Sequence, residues 1–238
     1  MERNIYSYNP EMEQSKRTAS FPALMTKVYL WMTLALAMTG LTAFCIANNE
    51  SILFAIATNR VLLWGLLIAE LVLVMILSGC IMRLSFPAAG ALFAAYAILN
   101  GATLSFILLV YTMESIAATF FVTAGTFGAM TLFGMFTKRD LGAWGRFLFM
   151  ALIGLIIATL VNMFMASSTL ACVLNYAGVL IFCGLTAYDT QKMKVILMQC
   201  QNSGDESVMK IALLCSLSLY LDFINLFLYL LRFFGRRD

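Results

Sequence analysis

Residues 61–82, VLLWGLLIAELVLVMILSGCIM, form a run of 22 residues with a single charge, Glu70. At 1.5 Å per residue such a helix is about 33 Å long, enough to cross the roughly 30 Å hydrocarbon core of a bilayer. Lipid offers the backbone no hydrogen-bonding partner, so a segment of this kind satisfies its peptide groups internally, as a helix. Six other blocks have the same character: 28–47, 87–112, 116–136, 147–166, 170–189 and 208–234. The expected architecture is therefore an all-α membrane protein, a seven-transmembrane-helix bundle. Residues 1–27 are polar and of mixed charge and are expected to be a flexible cytoplasmic tail, with 28–238 as one transmembrane domain.

Composition agrees. The chain is 62% hydrophobic and 11% charged, against about 25% charged in soluble domains. The net charge of +3 comes from basic residues beside apolar blocks, which report orientation and leave no basic patch for nucleic acid. Histidine is absent, which removes Ser-His and Cys-His catalysis and His-ligated zinc, so proton chemistry falls to carboxylates. The six cysteines form no C-x-x-C pair and read as small hydrophobes. No phosphate-binding glycine loop, G-x-S-x-G elbow or H-E-x-x-H is present. Small residues four apart, Ala124 with Gly128 and Gly154 with Ala158, are expected to let helix backbones approach closely.

Short cytoplasmic loops retain Lys and Arg. A cytoplasmic amino terminus places Lys16, Arg17, Lys27, Arg83, Lys138, Arg139, Arg146, Lys192, Lys194 and Lys210 inside, with Arg60 outside. Arg232, Arg236 and Arg237 then fall on the far side, against the trend. Either they are a tolerated exception or the seventh block enters and returns; its length favours a full crossing.

Ionisable side chains within the spans cost about 2.5–3.5 kcal/mol each on insertion scales, so those that persist mark functional sites. Glu70 lies inside the second span, Asp189 near the end of the sixth and Asp222 near the middle of the seventh, with Asn225 one turn later. Arg83, at the end of the second span, is the candidate cationic partner. Spans six and seven are antiparallel neighbours, so Asp189 and Asp222 can approach, although Asp222 lies about 14 residues, or about 21 Å, into its block and contact needs an offset. If the two carboxyls meet away from water, desolvation and mutual repulsion favour a shared proton, and the pair senses pH. A nearby arginine would oppose this. Glu70 is a candidate for lining a cation path or for pairing with a tail arginine, or else a neutral acid bonded to a neighbouring helix.

Two segments at these positions, Gly184-Leu-Thr-Ala-Tyr-Asp-Thr-Gln-Lys192 and Leu219-Tyr-Leu-Asp-Phe-Ile-Asn-Leu-Phe227 continuing to Leu231-Arg-Phe-Phe-Gly235, resemble the Bax inhibitor-1 family, also called the transmembrane Bax inhibitor motif family. Lys27-Val-Tyr-Leu-Trp-Met32 and Leu84-Ser-Phe-Pro87 add to the resemblance, which covers nearly the whole chain. It implies a bundle with the seventh helix central and a pH-sensitive calcium leak through the membrane. It also implies that Asp189 and Asp222 are the pH-sensing pair, Arg83 the latch on that pair and Glu70 the acidic residue earlier in the second helix. Calcium would be the transported species, with Asp189, Asp222 and Glu70 as its candidate oxygen ligands, and no cofactor is implied. The short chain points to a bacterial inner membrane.

Three other functions fit the same residues. A proton-coupled cation exchanger differs from a leak by obligatory proton movement. A non-transporting regulator would act by binding another membrane protein. An intramembrane aspartyl protease would use two membrane aspartates as acid and base, and Tyr188-Asp189 resembles half of its signature. The other half is missing, because Asp222 follows Leu219-Tyr-Leu and no G-x-G-D or Pro-Ala-Leu segment occurs.

Overall fold

The computed structural model describes residues 10–200 and 205–236, with side chains from Phe21 onward except those of Ala57 and Asp205. The helices are α1 (Pro10–Ala47), α2 (Glu50–Thr58), α3 (Arg60–Cys80), α4 (Phe86–Leu104), α5 (Ile107–Val110), α6 (Met113–Phe136), α7 (Gly142–Met165), α8 (Ser168–Gln199) and α9 (Asp205–Phe234), with a 3-10 turn at Ile81–Arg83. No strand occurs among the described residues, and seven helical segments are long and apolar enough to cross a membrane. Their boundaries are set by local chemistry. Asn49, Asn59, Ser85, Thr112 and Ser167 each accept a hydrogen bond from an amide in the first turn of the helix that follows, occupying donors that have no partner within the helix. Ala166 ends α7 in the left-handed region at φ 50°.

The last helix is the hub. Two-thirds of its most apolar window (67%) is buried within the protein, against 6% for the windows of α3 and α7, which therefore face lipid along most of their surface. α9 packs on α8, α1, α6 and α4, and Leu219, Tyr220, Leu226 and Leu231 are closed off from the surroundings. Ser216 donates to the carbonyls of Val28 (2.9 Å) and Ala212 (2.8 Å), tying α9 to α1 while satisfying a buried hydroxyl. Phe223 meets Phe120 and Phe127 of α6 edge to face, at centroid distances of 5.5 and 5.4 Å. By contrast α7 packs on α8 and on no other helix to a comparable degree.

α9 is unbroken over its full length, and at its far end the Arg236 amide donates to Ser115 Oγ while the Arg236 carbonyl accepts from the Thr112 amide. The seventh block is thus one continuous helix long enough to cross, without the break of a re-entrant loop. Three features add detail to the sequence reading. The segment before residue 28 is helical from Pro10 and continuous with the first span; residues 1–9, the Lys16 and Arg17 side chains and Arg237 lie outside the described residues. The polar stretch after Asp189 continues as helix to Gln199, because its polar side chains bond to neighbouring loops. The glycines of the small-residue pairs do not seat helices. A Cβ added at Gly128 or Gly154 would meet nothing within 4 Å, whereas at Gly101 it would strike the Thr39 carbonyl and at Gly134 the Ala187 backbone.

Gly101 and Gly134 are therefore where α4 meets α1 and α6 meets α8. Gly101→Val is expected to lower the thermal midpoint of the detergent-solubilised protein, since overpacking a close contact costs about 1–3 kcal/mol. Gly154→Val, into open space, is the matched control and leaves the midpoint unchanged in the same melting experiment.

Candidate functional site

The α8 segment 184–194 is packed and hydrogen-bonded on both sides. A Cβ at Gly184 would strike Leu148, and one at Gly145 would strike the Tyr188 ring, so α7 lies directly against this part of α8. Thr186 and Thr190 return their hydroxyls to the carbonyls one turn back (2.7 Å each), so that neither is an unmet buried donor. Gln191 accepts from the Leu141 amide and donates to the Arg139 carbonyl, both at 2.8 Å, clamping the α6–α7 turn. Lys194 donates to the Met135 carbonyl at the end of α6 (2.9 Å). Held on both sides, this segment aims Asp189 at α9.

Ser218 of α9 donates to Asp189 Oδ2 at 2.9 Å. Ser218 and Asp222 are four residues apart and share a face of α9. Asp189 lies ten residues before the end of α8 and Ser218 thirteen after the start of α9, so the two are at matching depth and Asp222 sits one turn deeper. The required offset is supplied by this serine and by the extension of α8. Asp222 is 5% exposed, and its Oδ2 has no hydrogen-bond partner among the described residues. Asp189 and Asp222 feel each other electrostatically and line the same cavity of about 960 Å³, between α3, α7, α8 and α9. Arg146 and Lys192 line it too, and Lys192 lies 5.9 Å over the Tyr188 ring.

The other two expected site residues are elsewhere. Glu70 bonds to Thr103 of α4 and neighbours Asn100. From there polar contacts continue into the core: the Tyr220 hydroxyl lies 3.2 Å from Asn100 Oδ1 and 2.7 Å from Thr39 Oγ1, and Thr39 donates to the Ala97 carbonyl at 3.0 Å. Tyr220 and Asp222 are two residues apart and so point to opposite sides of α9. Glu70 thus belongs to a second polar cluster, separated from the aspartates by the central helix. Among the described residues no three His, Cys, Asp or Glu side chains gather where one metal ion could be held, so Asp189, Asp222 and Glu70 do not form a single ligand set.

Arg83 is exposed in the 3-10 turn and is not among the residues lining the cavity. Nearby, the Phe86 amide donates to Glu206 Oε1 (3.2 Å), and Glu206 pairs with Lys210 at 3.0 Å. Arg83 therefore stands near the start of α9, where Glu206 precedes Asp222 by 16 residues, about 24 Å along the helix. The structure does not bring Arg83 to the pair; the cations at the cavity are Arg146 and Lys192. Sequence reasoning missed Ser218, whose signal is its four-residue spacing from Asp222. It also placed Arg146 and Lys192 only as markers of orientation.

A seven-helix bundle organised around a buried carboxyl on its central helix, faced by a second from the adjacent helix, defines a polytopic membrane protein built on intramembrane acids. The sequence profile described as Inhibitor of apoptosis-promoting Bax1 matches residues 22–238, and the chain belongs to the Bax inhibitor-1 family. It is 50% identical over 219 residues to the inner membrane protein YbhL of Escherichia coli K12, covering 92% of this chain and 94% of that protein. It is 40% identical over 227 residues to a Deinococcus radiodurans protein (95% and 96% covered), and 43% identical over 216 residues to protein RP147 of Rickettsia prowazekii (90% and 89% covered).

An unmet buried oxygen costs about 1–3 kcal/mol, so Asp222 is retained at the expense of stability. Asp222→Leu is expected to raise the thermal midpoint in detergent by several degrees. A drop would show that the carboxyl contributes net stabilising bonds.

Proposed function

We propose that this chain is a pH-sensitive calcium leak channel gated by the Asp189–Asp222 pair. The observation that carries the reading is that both carboxyls face one cavity, Asp189 held by Ser218 and Asp222 with a free oxygen. Two carboxyls facing one cavity can form a proton-binding unit, since a shared proton removes the repulsion between them. Their oxygens are also ligands of the kind calcium prefers. A group that alternates between holding a proton and attracting a cation couples pH to permeation. Membership of the Bax inhibitor-1 family supports the reading.

In this reading the cations at the cavity, Arg146 and Lys192, oppose calcium entry and favour the ionised pair. A latch through Arg83 requires the 3-10 turn to swing toward the cavity. Glu70, in its separate cluster, is a way-station on the far side of α9. The host is a bacterial inner membrane, as the name of the Escherichia coli relative supports, with the Lys- and Arg-rich ends of the helices in the cytoplasm. The assigned role is transport, without covalent chemistry.

The test is calcium flux into proteoliposomes between pH 6 and pH 8 for the wild type, Asp189→Asn and Asp222→Asn. Both substitutions are expected to flatten the pH response; a full wild-type response in both would reject the gating assignment. Flux that persists without a proton gradient marks a leak, while protons moving at a fixed ratio to calcium mark an exchanger. Arg146→Gln is expected to shift the pH response more than Arg83→Gln. The reverse order would place Arg83 at the pair in the conducting state.

A further inference from the structure

On the side of α9 away from the aspartate cavity, α1 and α6 do not close on each other. Two cavities lie between them, of about 590 Å³ and 250 Å³, and they share Leu36, Gly40, Phe120 and Phe223. Together they make one lengthwise cleft, from Tyr29 and Thr131 at one end to Phe44 and Phe227 at the other. From Tyr29 to Phe44 is 15 residues of α1, about 22 Å, close to the length of an extended long acyl chain.

Along the cleft the Thr33 and Thr39 hydroxyls are engaged by the Tyr29 and Ala97 carbonyls, and the rest of the lining is apolar except at one end. Thr131 is 8% exposed, and its Oγ1 and the buried Tyr29 hydroxyl, which lie beside each other and beside Thr190, meet no described residue in full hydrogen-bond geometry. A small hydroxyl cluster with poorly engaged donors at the head of a long apolar slot suits an amphiphile with a hydrogen-bond acceptor at the top of a hydrocarbon chain. Depth narrows the choice. Thr131 is five residues from the end of α6, about 8 Å along its axis, near the level at which hydrocarbon gives way to the interfacial region. Phospholipid ester carbonyls lie at that level. They accept hydrogen bonds and carry no charge, which suits a pocket end built from hydroxyls with no cation among its lining residues.

We propose that the α1–α6 cleft binds one acyl chain of an ester-linked bilayer phospholipid, whose ester carbonyl accepts hydrogen bonds from Tyr29 and Thr131. The chain lies along Gly40 and Gly128, where an added Cβ meets nothing within 4 Å, and reaches Phe223, the residue after Asp222. The cleft is a site distinct from the aspartate cavity and does not depend on the calcium reading.

The experiment is native mass spectrometry of the detergent-purified full chain, titrated with diester phosphatidylethanolamine and with its dialkyl ether analogue of equal chain length. The ether has the same headgroup and chains but no carbonyl acceptor. The wild type is expected to retain the diester about fivefold better, as one or two neutral hydrogen bonds imply. Tyr29→Phe combined with Thr131→Val should erase that preference. Gly128→Leu and Gly40→Leu each put a side chain into the cleft from a different helix, at positions where the added Cβ meets nothing within 4 Å, and should lose the high-occupancy adduct with either lipid, while Gly154→Leu, on the lipid face of α7, keeps it. Equal retention of diester and ether by the wild type would overturn the proposal, as would wild-type adducts in both cleft-filling variants.

Discussion

A carboxyl group in the most buried helix of a membrane protein, with one oxygen unbonded, is the constraint around which the rest of this bundle is arranged. Water is the usual partner of such a group, and the bilayer withholds it. The neighbours of α9 therefore divide the work. On one side α8 supplies a second carboxyl, itself held by Ser218, and a cavity opens against both. On the other side the hydroxyls of Tyr220 and Thr39 and the amide of Asn100 satisfy one another and lead outward to Glu70. The helix is thus polar on two opposed strips and packed between them by Leu219, Phe223 and Leu226.

Much of this was legible in the sequence, because a bilayer makes simple demands. A span must be apolar and about 20 residues long, so the seven blocks could be counted, and an acid within a span has to be accounted for, so Glu70, Asp189 and Asp222 stood out. Family resemblance reinforced the two motifs that carry the aspartates. Partners were less visible. Ser218 is an ordinary residue in an apolar run until the depth of Asp189 is known, and that depth depends on α8 continuing to Gln199. The continuation was hidden because Gln191 and Lys194 look like loop residues when their bonds to the Arg139 and Met135 carbonyls cannot be seen. The 3-10 turn that carries Arg83 away from the pair is equally invisible in a list of charges.

The glycines teach a related lesson. Spacing of four describes a flat strip on a helix and does not say what lies upon it. Gly134, without that spacing to advertise it, is a close helix contact, while Gly128 and Gly154, which have it, face open ground. Flatness on a membrane helix is as useful for receiving lipid as for receiving another helix, since both gain only dispersion contacts there.

The way α7 is mounted has a mechanical consequence. It leans on α8 along one flank and otherwise touches hydrocarbon, yet it forms the outer wall of the space that holds both aspartates. That flank is a tight seam, where Gly145 lies against the Tyr188 ring and Gly184 against Leu148, so the outer boundary of the acidic chamber rests on one helix pair.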